Sequence, residues 1–136
     1  MRIISGDLKG KKITFLKSSV TRPLKDSVKE NIFNILKHSN LLTVNLKNSN
    51  ILDLYSGIGS FGLECISRGA KQVTFVEKDK NAFSILNENL INLNIEERST
   101  IIKENIEFFL KEGLFEKFEI IFLDPPFSDN SYLGIL

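Results

Sequence analysis

Two groups of residues have types and spacings suited to chemistry. The first is Asp53, followed by Tyr55-Ser-Gly57-Ile-Gly59-Ser-Phe-Gly62, with Glu77 twenty residues beyond Gly57. Glycines at G-x-G-x-x-G spacing let a chain turn tightly out of a strand, let a ligand approach the backbone, and let helix and strand pack closely. A carboxylate at the Glu77 offset can accept hydrogen bonds from both hydroxyls of a ribose. Such a turn ordinarily holds a pyrophosphate on the helix N-terminus, but Asp53, facing the crevice, would repel one. That carboxylate suits a cationic ligand with ribose, adenine and amino-acid parts, and S-adenosylmethionine has this chemistry. The competing readings are a glycine-rich turn with no ligand, and an Asp53 that only caps a backbone turn. The second group is Asp124-Pro125-Pro126-Phe127. Two ring-locked φ angles stiffen that turn, so the Asp124 carboxylate and the Pro125 carbonyl can face one point with Phe127 as a flat wall. Two acceptors and an aromatic face match an exocyclic amine on a planar base. The competing reading is a strand ending in a proline turn.

The elements that must position these groups follow from the pattern. Ile51–Tyr55, Gln72–Val76, Thr100–Lys103 and Glu119–Leu123 read as strands. Phe61–Arg68, Asp79–Leu93 and Ile106–Gly113 read as helices, the first ending at Gly69 in the position of a C′ glycine. Their alternation predicts an α/β domain with a parallel sheet. In the doubly wound order 3-2-1-4, ligands bind at the switch between strands 1 and 4, which is where both groups leave the sheet. Upstream, Arg2–Ile4 and Lys12–Phe15 flank Gly6 and Gly10 and predict a small hairpin. Val28, Ile32, Ile35 and Leu36 predict the apolar face of an amphipathic helix over Asp26–His38.

Composition bounds the function. At 136 residues, 42% apolar and 26% charged, the chain reads as one folded domain. One cysteine and one histidine, Cys65 and His38, build neither a disulfide framework nor a four-ligand zinc site. No apolar run predicts a membrane span or a secretory signal, so a reducing cytoplasm is the expected location. Residues 1–50 hold ten Lys or Arg against three acids, a balance of +7, whereas the other 86 residues balance at −6. That asymmetry suggests a polyanion contact at one end, or an unevenly charged surface with no such role.

Together these residues resemble the RsmD-type methyltransferases. The resemblance rests on Met1-Arg-Ile-Ile-Ser-Gly6 with Lys9-Gly-Lys-Lys12, and on Thr21-Arg22-Pro23 followed by Glu30-Asn-Ile-Phe33-Asn-Ile-Leu36. It also rests on Leu52-Asp-Leu-Tyr-Ser-Gly57 through Gly62-Leu-Glu64, Ser67-Arg-Gly-Ala70, Val76-Glu-Lys-Asp79 and Phe122-Leu-Asp-Pro-Pro-Phe127. It implies a Rossmann-like, S-adenosylmethionine-dependent fold, here ending before strands 5–7, with residues 1–45 as an RNA-contacting extension and 46–136 as the methyltransferase domain. It implies methylation of the exocyclic N2 of one guanine, guanine 966, in 16S ribosomal RNA, free or in a small-subunit assembly particle. Asp124, Pro125, Pro126 and Phe127 are then catalytic. Asp53, Tyr55, Gly57, Gly59, Gly62, Glu77, Lys78, Asn105 and Ile106 hold the cofactor, Asn105 standing where the family usually carries Asp. Arg2, Lys9, Lys11, Lys12 and Arg22 contact RNA phosphates. Strand 4 would be an apolar edge covered by a partner or a further segment. A DNA or protein-glutamine amino-methyltransferase, a nicotinamide dehydrogenase and a silent cofactor- or RNA-binding module are the rival classes.

Overall fold

Consecutive apolar residues in four short strands lay down a sheet with side chains packed on both faces. In the computed structural model, which describes residues 1–15, 24–39, 45–112, 117–126 and 133, the strands are β1 (Asn50–Asp53), β2 (Gln72–Val76), β3 (Ser99–Ile102) and β4 (Ile120–Phe122). They are parallel and ordered β3-β2-β1-β4. Ile51 pairs with Val73 on one side and Ile120 on the other, and Phe75 pairs with Ile101. These residues share one face and join the larger core cluster. Leu52, Leu54, Val76 and Ile102 point the other way and meet Ile106 in a second cluster. Covering both faces is what a parallel sheet requires.

The helices are α1 (Asp26–His38), α2 (Ser60–Ser67), α3 (Lys80–Asn92) and α4 (Glu107–Glu112), with a 3₁₀ turn at Glu96–Arg98. α2 closes as a Schellman motif: the Gly69 and Ala70 amides donate to the carbonyls of Ile66 and Cys65, with Gly69 at φ 106°. Asn94, at φ 56°, ends α3 in the same way. The order and alternation are those read from the sequence.

One expectation holds with added contacts, and one changes in part. The N-terminal hairpin forms around the antiparallel bridge of Arg2 to Lys12, with the Ile3, Gly10 and Ile13 amides donating across it to the Lys11, Ile3 and Met1 carbonyls. Other amides of the hairpin bond to the helices: Ile4 and Ser5 donate to Glu64, Asp7 donates to the Ser67 carbonyl, and Leu8 donates to Ser67 Oγ. Thr14 donates to Asn89 Oδ1 and accepts from Asn89 Nδ2. Docking therefore adds to the cross-strand bonds. The helix α1 has the predicted span and packs Ile32 and Leu36 on the core as predicted, but the other half of the expected face turns outward. Val28 and Ile35 are exposed, while Lys29 and Phe33 are buried. Phe33 stacks on Phe61 at 5.2 Å and lies under the Arg68 guanidinium at 4.2 Å. A buried ion pair of Lys29 with Glu64 turns the helix to that side.

Candidate active site

The strand β1 lies between β2 and β4 and carries the chain to the sheet's carboxyl edge. Beyond Asp53, the Leu54 amide donates to the Phe122 carbonyl and the Ser56 amide to the Val76 carbonyl, so the exit stays pinned between both neighbours. Gly57 (φ 56°) and Gly59 (φ 96°) then turn the chain into α2, as their spacing predicts. At Gly59 a side chain would run into Leu86, and at Gly62 a Cβ would overlap the Phe75 ring and press on Val73. The third glycine thus has the packing role expected of it.

Glu77 sits at the end of β2 with its carboxylate braced across the turn. Oε1 accepts from the Gly57 amide and Oε2 from the Asp79 amide, both at 2.8 Å. A carboxylate has about four acceptor positions, so two remain for a ligand. Asp79 caps α3 by accepting from the Ala82 amide. Asn89 donates to the Ile58 carbonyl and fixes the turn from the side of α3.

Asp53 is enclosed, at 1% exposure, and neither carboxylate oxygen has a hydrogen-bond partner among the described residues. It caps no backbone turn. Burial pushes its carboxyl up to about 8, opposed by the nearby Gly62 amide, with the charges of Asp124 and Glu77 raising it further. The Gly62 amide influences it without reaching hydrogen-bond geometry. An orphaned buried acid at the end of a strand, near the first turn of α2, is an incomplete site, since buried polar groups are normally paired.

Asp124, Pro125 and Pro126 follow β4, next to the β1 exit. Asp124 is exposed as a residue, yet partial burial of its carboxyl raises it above the usual carboxylate range. Both prolines are half-buried. Phe127 lies outside the described residues, as does Arg22. Tyr55 packs partly buried against the second cluster, and Ile106 is buried within it. Lys78 and Asn105 are exposed, and the Asn105 carbonyl accepts from the Phe108 amide at the start of α4. Arg2, Lys9, Lys11 and Lys12 are exposed on the N-terminal segment. Cys65 is buried, where its surroundings push the thiol up, and His38 is exposed.

Sequence reasoning missed a buried polar network beside the site. Glu64 accepts from the Ile4 and Ser5 amides and from Arg68 Nε at 2.8 Å, and pairs with Lys29 Nζ at 3.4 Å. By sequence, Lys29 is one more charge of the basic end. The signal that could have found it is its own position: Lys29, Phe33 and Leu36 repeat at i, i+4 and i+7 beside a glutamate on α2. Among the described residues no cluster of His, Cys, Asp or Glu could hold a metal ion. No helix among them is long and apolar enough to cross a membrane.

Comparison with known proteins adds a family to this geometry. A family model described as "conserved hypothetical protein 95" matches residues 1–135. Ribosomal RNA small subunit methyltransferase D of Haemophilus influenzae is 39% identical over 132 residues, covering 96% of this chain and 65% of that protein. The protein of the same name from Escherichia coli K12 is 32% identical over 127 residues, covering 93% of this chain and 60% of that one. Among solved structures, the yhhF protein of Escherichia coli superposes with a TM-score of 0.79 at 30% identity, covering 98% of this chain and 68% of its own. The chain thus spans a little under two thirds of the length of the first two relatives. With the four-stranded order and the glycine turn already in place, these matches put the chain in the "conserved hypothetical protein 95" family, that of the RsmD-type methyltransferases.

Proposed function

We propose that this chain carries the S-adenosylmethionine site and the amine-orienting turn of an enzyme that methylates the exocyclic N2 of a guanine in small-subunit ribosomal RNA, of the guanine 966 type. One observation carries the reading. β1 and β4 are hydrogen-bonded neighbours, so the glycine turn with Asp53 and Glu77 leaves the sheet beside Asp124-Pro125-Pro126. The relatives named as ribosomal RNA small subunit methyltransferases support an RNA substrate.

The residues present fit the cofactor. Asp53 has two buried oxygens without a donor, which an ammonium would satisfy, and a neighbouring cation would draw its carboxyl back toward the ionised form. Glu77 keeps acceptor positions for ribose hydroxyls, and Gly57 and Gly59 leave room along the backbone. Tyr55, Lys78, Gly62, Asn105 and Ile106 complete the surround. When bound, S-adenosylmethionine supplies a methyl group on a sulfonium, an electrophile that needs no further activation.

The rest of the work falls to Asp124, Pro125, Pro126 and Phe127. The Asp124 carboxylate and the Pro125 carbonyl accept the two N2 hydrogens and aim the nitrogen lone pair. Pro126 stiffens the turn. Phe127 stacks on the base, an interaction worth about 1–3 kcal/mol. The raised carboxyl of Asp124 makes it a better proton acceptor than an ordinary aspartate. Arg2, Lys9, Lys11, Lys12 and Arg22 meet RNA phosphates, and such an enzyme would work in the cytoplasm.

The test is methyl transfer from labelled S-adenosylmethionine to deproteinised small-subunit RNA, with the product base identified by mass spectrometry. The reading predicts N2-methylguanine at one position. It also predicts a loss of at least about a hundredfold in rate for Asp124→Ala, with binding of S-adenosylhomocysteine retained. Methyl found on another atom, or an Asp124→Ala variant of undiminished rate, contradicts it.

A further inference from the structure

Among the described residues, the largest side chain to be wholly enclosed is Lys29, an ammonium from α1 at 0% exposure. Burying a charge is costly unless it is paired and hydrogen-bonded. Lys29 Nζ has two partners on α2: Glu64 Oε1 at 3.4 Å, and Ser60 Oγ, to which it donates at 3.2 Å. The two partners are one helical turn apart. Glu64 is a fixed anchor, because the Ile4 and Ser5 amides and Arg68 hold its other acceptor positions. Ser60 is the first residue of α2 and follows Gly59 directly. The ammonium therefore spans from a rigid anchor to the residue at which the glycine turn becomes a helix.

As a stabilising device this arrangement is a poor choice, since a well-packed apolar side chain often serves as well as a buried ion pair. An apolar side chain cannot hold a hydroxyl in place. We infer that Lys29 is a positioning residue for the cofactor turn: through Ser60 it fixes the start of α2, and with it the geometry of Gly57–Gly59 toward a nucleoside ligand. Because Glu64 is also held by Ile4 and Ser5, the same network ties the basic N-terminal segment to that turn. The inference rests on the S-adenosylmethionine site proposed above.

The experiment titrates the whole chain with S-adenosylhomocysteine by calorimetry, as wild type, Ser60→Ala, Lys29→Met, Lys29→Arg and the Ser60→Ala/Lys29→Met pair. Thermal midpoints and hydrogen exchange of the amides of residues 57–63 are read alongside. Ser60→Ala leaves the Lys29–Glu64 pair and every bond to Glu64 intact. It should weaken binding roughly threefold to tenfold, as for loss of one hydrogen bond from a charged donor, with an almost unchanged thermal midpoint. The turn amides should exchange faster in the free protein. Lys29→Met should weaken binding at least as much, the double variant should be no weaker than Lys29→Met, and Lys29→Arg should recover most of the loss. Wild-type affinity and exchange in Ser60→Ala overturn the inference and leave Lys29 as a structural pin. Fully additive single variants overturn it too. Should Lys29→Met fail to fold, Ser60→Ala decides alone. No binding by folded wild type overturns the proposed cofactor site and this role with it, an outcome distinct from the other two.

Discussion

Asp53 is a buried acid whose carboxyl departs far from its behaviour in water. Its carboxyl, raised to about 8 by burial, has an ordinary value of 3.8. Between those values the folded chain keeps a proton that the unfolded chain has released. This group's contribution to stability is therefore fully present below the ordinary value, shrinks as pH rises, and is lost above about 8. Asp53→Asn, neutral at every pH, should flatten that slope by an amount on the order of a few kcal/mol across the window. Urea unfolding of wild type and variant at pH 5 and pH 8 measures the difference, and equal slopes would mean that Asp53 is ionised in the free fold. Two residues at this scale show the limits of pattern. Glu77 was legible because an acid after a second strand has a known geometric job, though its bracing of the Gly57 and Asp79 amides was not. Lys29 was missed, because a lysine counts as surface until a partner for it is known, although it shares the i, i+4, i+7 spacing of Phe33 and Leu36.

At the scale of elements, helix and strand periods carried most of the architecture. The span of α1, the β2 strand and the Gly69 stop of α2 all agree with the sequence pattern. What local pattern could not show are the long-range polar contacts. The N-terminal hairpin keeps cross-strand bonds and also docks on Glu64, Ser67 and Asn89. In α1, Ile32 and Leu36 pack on the core as predicted, but Val28 and Ile35 turn outward where Lys29 and Phe33 are seated instead. Gly62 tests the packing between α2 and β2. A Cβ there would overlap Phe75 in a tight interior, so Gly62→Ala should cost about 1–3 kcal/mol. Chemical denaturation checks this, and a variant as stable as wild type would mean that α2 can shift freely off the sheet.

For the whole molecule, the organising fact is that one core is shared. Ile3, Ile13 and Phe33 from the N-terminal part lie in the same cluster as Ile51, Val73 and Phe75 of the sheet. The basic segment is thus held in a fixed relation to the β1–β4 switch point. Lys9, Lys11 and Lys12 are all exposed there. If they meet phosphates, replacing the three by Gln should weaken binding to small-subunit RNA. The slope of log K against log salt should fall by about 0.7–0.9 for each phosphate no longer neutralised. An unchanged salt slope would remove this face from the RNA interface.

Every role proposed above requires the β1–β4 switch point to hold a nucleoside cation. Calorimetric titration of the folded chain with S-adenosylhomocysteine, beside Glu77→Ala, tests that most directly. One site per chain is expected in the wild type and no measurable binding in the variant. A folded wild type that does not bind, or a variant that binds as well as wild type, would contradict it.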